Sequence, residues 1–88
     1  YKGTMFIADR NNHRIQKYAR GSMNGMTVAG FGNGTSSTSL YGLNQAAHVI
    51  VDDEENLYIA DALNRRVLSW PRNALSGVIV GGFGKKKS

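Results

Sequence analysis

Residues 5–32 and 57–84 carry the same pattern at an offset of 52 residues, and no gap is needed to align them. Ile7-Ala8-Asp9 recurs as Ile59-Ala60-Asp61, Asn12 as Asn64, Arg14 as Arg66, Arg20 as Arg72, Gly25 as Gly77, Val28 as Val80, and Gly30-Phe31-Gly32 as Gly82-Phe83-Gly84. Unrelated segments of this length would share about one or two identities, because each residue type is typically under ~10% of usage. A fixed period of this size signals a repeat architecture, in which each unit buries its apolar face against the next.

The content of one period is β. Leu57-Tyr58-Ile59-Ala60 is short, apolar and aromatic-rich, so it reads as a buried strand. Asp61 to Asn64 supplies turn chemistry, since Asp and Asn side chains satisfy nearby backbone groups. Arg66 to Trp70 is a second strand, Pro71 to Gly77 a loop, and Val78-Ile79-Val80 a third strand closed by Gly81-Gly82. Upstream, Val49-Ile50-Val51 is a fourth strand, ended by the acidic turn Asp52 to Asn56. Four short strands per period, joined by hairpin-length links with no helical periodicity, describe the blade of a β-propeller. Met5 and Ile7 alternate with Phe6 and Ala8, so both faces of the first sheet are apolar and both need covering.

Size and charge narrow the function. A single chain of 88 residues is one small domain at most, with little core of its own. Opening on Tyr1 rather than Met, it reads as a processed or truncated product. There is no Cys to form disulfides or thiolate metal sites. No apolar run approaches the ~18 residues of a membrane span. The net charge of +5 includes Lys85, Lys86 and Lys87, which read as a solvated tail rather than a polyanion-binding face.

These segments resemble the NHL-repeat family. Its central stretch, roughly apolar-Tyr-[Val/Ile]-Ala-Asp-x-x-Asn-x-Arg-[Ile/Val], is similar to Met5 through Ile15 and again to Leu57 through Val67. The stretch before it resembles Leu43 through Asp52, with Ala46 where the family has Pro, His48 where it has Gly, and Glu55 where the following turn has Gly. The resemblance implies an all-β partial β-propeller of two consecutive four-stranded antiparallel blades, the first lacking its innermost strand. Residues 1–32 would form strands b, c and d of one blade, and 33–44 the blade-to-blade connection. Residues 45–84 would form strands a to d of the next blade, and 85–88 a basic tail. Such propellers close with about six blades, so this segment requires further blades or self-association.

Alternation of strand direction puts the b–c turns and the d–a connection on one end of the blades. That end carries Arg10, Asn11 and His13, then Ala62, Leu63 and Arg65, and the connection Asn33 to Tyr41. Loops on a rigid frame are where binding residues concentrate, so Arg10, Asn11, His13, Arg65 and Tyr41 are the candidate binding residues. Asp9, Asn12, Arg14 and Asp61, Asn64, Arg66 recur at identical spacing. A catalytic group is needed once and a structural device in every blade, so these six read as turn hydrogen bonds with a charge-assisted Asp–Arg contact. Gly30 to Gly34 lacks the Lys and the helix of a phosphate loop and reads as a strand-end turn. Asp52 to Asn56 lacks calcium-loop spacing and reads as a solvated hairpin turn. Asn33-Gly34-Thr35 has the form of a glycosylation acceptor.

The function expected on this basis is a binding module for a protein or peptide partner, with no cofactor and no catalytic residues. One alternative is single-stranded RNA binding by a basic face of Arg10, Arg14, Lys17 and Arg65. Another, implied by the resemblance, is part of a metal-dependent lyase with its metal in the central channel. His48, at the start of strand a, is the weak candidate ligand, whereas zinc takes at least three protein ligands.

Overall fold

A computed structural model describes residues 3–82. The chain is all-β. Strands β1 (Met5–Asp9), β2 (Arg14–Tyr18) and β3 (Met26–Gly30) form one antiparallel sheet in the order β1-β2-β3. Strands β4 (His48–Val51), β5 (Leu57–Asp61), β6 (Arg66–Trp70) and β7 (Val78–Gly82) form a second, in the order β4-β5-β6-β7. Among the described residues, the helical elements are two three-residue 3-10 turns, Arg10–Asn12 and Ala62–Asn64. None is long and apolar enough to cross a membrane.

Every element of the first sheet maps onto one of the second at the 52-residue offset, including the irregularities. The β-bulge between Ile15 and Gln16 recurs between Val67 and Leu68. His13 and Arg65, which close the 3-10 turns, both lie in the left-handed region, at φ 57° and 56°. A Cβ added to Gly25 would lie 2.7 Å from the Tyr18 ring, and one added to Gly77 would lie 2.8 Å from the Trp70 ring. The aromatic at the end of strand c therefore stacks on the backbone leading into strand d, and only glycine admits it.

Alternation along the strands sets which face is covered. Phe6 and Ala8 pack against the core shared by the two sheets, while Met5 and Ile7 point away and are exposed. The second sheet turns Leu57, Ile59, Leu68 and Trp70 toward the first, all buried. Leu43 and Ala46 of the connection complete this core at full burial. The Trp70 indole N–H donates to the Ala74 carbonyl at 2.9 Å, so its burial strands no polar atom.

Strand placements match the sequence reading, with His48 added to β4, Asp61 to β5 and Gly81-Gly82 to β7. The acidic turn is a side-chain-capped hairpin. Oδ1 of Asp52 accepts the backbone N–H groups of Glu54 and Asn56, each at 2.9 Å. Glu55 sits there at φ 64°, the left-handed conformation that favours glycine. The readings that involve Phe83 and Gly84, and the solvated Lys85–Lys87 tail, lie outside the described residues.

Candidate functional site

The turn after β5 is built around one carboxylate. Asp61 is fully buried, and Oδ2 accepts from Asn64 Nδ2 at 2.9 Å and from Arg66 Nε at 2.8 Å. Its Oδ1 accepts the Asn44 backbone N–H at 2.7 Å. Arg66 reaches on from this contact to the connection, donating to the carbonyls of Thr38 (2.9 Å), Ser39 (2.8 Å) and Gly42 (3.1 Å). Asn64 also donates to the Ser37 carbonyl at 2.7 Å. The Ser37 N–H donates to the Leu43 carbonyl at 2.9 Å, so residues 37–43 form a loop closed on itself around the guanidinium.

The first repeat holds the same three residues in a looser version. Arg14 Nε donates to Asp9 at 2.9 Å and Asn12 Nδ2 to Asp9 at 3.2 Å, but the Asp9 side chain is 29% exposed. Arg14 reaches the Gly32 carbonyl at 2.7 Å. Asp9, Asn12, Arg14 and Asp61, Asn64, Arg66 are thus hydrogen-bonded clasps that hold the b–c turns.

The connection joins the two turns side by side. Nδ1 of His13 accepts the Gln45 backbone N–H at 2.9 Å, and the Leu63 N–H donates to the Asn44 carbonyl at 3.1 Å. Nδ1 therefore carries a lone pair and, in the neutral ring, the proton sits on Nε2. Around this seam Arg10, Asn11, Leu63 and Arg65 are exposed, and so is Tyr41 in the closed loop. Of the five candidate binding residues, four present side chains outward, and His13 is turned inward as a tie to the connection.

The connection extends beyond the end assigned to it from strand alternation. The Leu40 carbonyl accepts the Gly77 N–H at 2.8 Å, and Gly77 leads into β7 at the opposite end of the sheet.

The opposite end carries the concave space. A cavity of about 150 Å³ opens between the sheets, lined by Phe6, Lys17, Val28, Glu55, Trp70 and Arg72 among others. Lys17 lies 5.7 Å from the Phe6 ring centroid and donates to Glu55 Oε1 at 2.8 Å. That hydrogen bond holds the Glu55 carboxyl below its ordinary value, with the Coulombic fields of Lys17 and Arg72 acting in the same direction against desolvation. Asp52 is likewise lowered, first by the Asn56 backbone N–H, and Tyr58 is raised because its hydroxyl donates to Asp52 at 3.2 Å. The sequence signal for this ion pair was Glu55 itself, a charged residue in a glycine-like turn position.

Arg10, Arg14, Lys17 and Arg65 do not gather into one basic face, since Arg14 is bound to Asp9 and Lys17 to Glu55 at the cavity end. His48 is exposed, its Nδ1 3.1 Å from the Ala47 carbonyl. Among the described residues no group of three His, Asp or Glu side chains is placed to hold a metal ion. Asn33 Oδ1 accepts the Thr35 N–H at 3.0 Å, forming an Asx turn.

Fold and site define an all-β repeat protein whose paired sheets are tied through one connection. No family model matches the chain, and no curated protein matches it.

Proposed function

We propose that this chain is a segment of an NHL-type propeller serving as a binding module, which presents its b–c turns and blade connection to a protein or peptide partner. The observation that carries this reading is the seam between the two turns. Asp61, Arg66 and His13 fix the backbone from below, while Arg10, Asn11, Leu63 and Arg65 stand exposed on it and Tyr41 is exposed on the connection. Rigid presentation lowers the ordering cost of binding. Arginine and tyrosine are also among the residue types that dominate interface energetics. The 52-residue repeat and the matching turn geometry support the propeller assignment.

A peptide display selection on the immobilised chain tests the reading, with enriched peptides measured against wild type and an Arg10→Ala, Tyr41→Ala, Arg65→Ala triple variant. The expected result is enrichment, with binding at least about tenfold weaker to the variant, a loss of about 1.4 kcal/mol. Peptides that bind the triple variant equally well, but lose binding to Trp70→Ala, would move the site to the cavity between the sheets. Absence of enrichment together with capture of a labelled oligouridylate would replace the peptide reading with an RNA one.

A further inference from the structure

A device that the fold needs recurs in both repeats, as the Asp–Asn–Arg clasps do. Around the cavity between the sheets the recurrence breaks down. Lys17 and Glu55, the ion pair that joins the two sheets there, stand where the other repeat has Ser69 and Gly3. Asn73, also in the cavity lining, stands where the other repeat has Gly21.

The backbone at these positions does recur. Gly3 and Gly21 lie in the left-handed region at φ 86° and 76°, and Glu55 and Asn73 keep that region at φ 64° and 66°. Glycine is the residue such a backbone favours, and the first repeat uses it twice. The second repeat instead puts two polar side chains there, and both line the cavity. Residues held in the left-handed region without being glycine cluster at ligand clamps. The change at Glu55 also bears on a neighbouring arginine. A Cβ added to Gly3 would lie 2.7 Å from Arg20 Cδ, so the Arg20 stem fills that space in the first repeat. In the second, a glutamate side chain starts from that position and the equivalent Arg72 lines the cavity.

Lys17 Nζ has three donors, one of which goes to Glu55. The Arg72 backbone N–H donates to Asn56 Oδ1 at 2.9 Å, while its guanidinium makes no hydrogen bond among the described residues. Two cations beside one carboxylate leave one positive charge to be matched. Phe6, Val28, Leu57 and Trp70 supply apolar wall. A cavity of about 150 Å³ is the size that accepts one benzene ring. Both walls belong to this chain, so the cavity does not depend on what covers the outer faces of the sheets.

We propose that this cavity binds a small aromatic monocarboxylate. The ring packs against Phe6 and Trp70, with which offset and edge-to-face contacts are favourable. The carboxylate takes the forked donors of Arg72, with Lys17 Nζ and the Asn73 amide beside it. Glu55 holds Lys17 in place and repels a second negative charge on the ligand. The site lies at the opposite end of the sheets from the b–c turns, so the proposal is independent of the peptide-binding reading.

Proton–nitrogen correlation spectra of the 88-residue chain, titrated with benzoate and in parallel with benzamide and acetate, test the proposal. Benzoate is expected to shift the Trp70 indole N–H and the backbone amides of Arg72 and Asn73, and to saturate. Benzamide keeps the ring without the charge and acetate the charge without the ring, so each should bind at least about tenfold more weakly. Arg72→Gln, on an exposed side chain, should weaken benzoate at least about tenfold with the rest of the spectrum unchanged. Asn73→Gly restores the residue of the other repeat, so it should melt no lower than wild type and yet bind benzoate more weakly. A side chain kept for the fold alone would show the reverse. Absence of a saturable shift at Trp70 would overturn the proposal, as would equal affinity for benzoate and benzamide. Shifts centred on Arg10 and Arg65, or either variant binding benzoate as wild type does, would overturn it too.

Discussion

Arg66 binds Asp61 at 2.8 Å on a carboxylate with no solvent exposure, whereas the equivalent Arg14 binds Asp9 at 2.9 Å on one that solvent still reaches. Bond length barely separates the pairs, but surroundings do. Arg66 is enclosed by the carbonyls of the 37–43 loop. Breaking a buried pair leaves an uncompensated charge, at about 3–5 kcal/mol. Asp61→Ala should therefore destabilise the fold by that amount, and Asp9→Ala by about 0.5–1.5 kcal/mol, the range of an ordinary hydrogen bond. Urea denaturation at one fixed protein concentration measures both, because association shifts apparent stability. Equal losses would show that the loop adds nothing to the clasp.

The Lys17–Glu55 pair gives a pH dependence of known sign. The folded Glu55 carboxyl titrates below its ordinary value, so the pair's contribution is present above the ordinary glutamate range and is lost as pH falls through the lowered value. An NMR titration of the Glu55 carboxyl carbon should show the lowered midpoint in wild type and a return toward the ordinary value in Lys17→Met. Identical midpoints would mean that the pair does not form in solution.

Glu55 also pays a conformational cost, since φ is 64° there. Glu55→Ala removes the ion pair and keeps the left-handed backbone, so it should destabilise by about 0.2–1 kcal/mol, the worth of an exposed pair. Glu55→Gly loses the same pair but relieves a left-handed residue worth about 1 kcal/mol, and should come out near wild type. Thermal melts of the two variants side by side are the check, with the glycine variant expected to melt higher.

Gly30 is held at φ +85°, and a Cβ there would lie 2.5 Å from the His13 carbonyl. At the equivalent Gly82 the nearest atom to an added Cβ is 3.6 Å away, an ordinary contact. Gly30→Ala should cost about 1–3 kcal/mol through backbone strain, and Gly82→Ala well under that. Comparable urea midpoints for the two variants would contradict this difference.

His13→Ala removes the acceptor of the Gln45 N–H. The bond is part-buried, so its loss should cost about 0.5–1.5 kcal/mol, as for an ordinary hydrogen bond. Amide hydrogen exchange should show faster exchange at Gln45, with the amides of β6 unchanged. Unaltered protection at Gln45 would mean that the imidazole does not hold the connection.

The strands, their antiparallel order and the two turn clasps were legible in the residue order, because each depends on local periodicity. Apolar alternation marks a strand, and Asp, Asn and Arg at offsets of three and five close a turn on the neighbouring strand end. Repetition at 52 residues then separates structural positions such as Asp61 and Arg66 from candidate binding residues such as Arg10 and Tyr41. Tertiary structure alone decided the contacts between elements far apart in the chain. That Arg66 is wrapped by residues 37–43, that His13 ties Gln45 and that Lys17 meets Glu55 depend on how one sheet sits on the other. Side-chain spacing along a strand carries no record of that distance or angle. The same limit explains why the connection, assigned to one end by strand direction, proves to run along the sheet to Gly77.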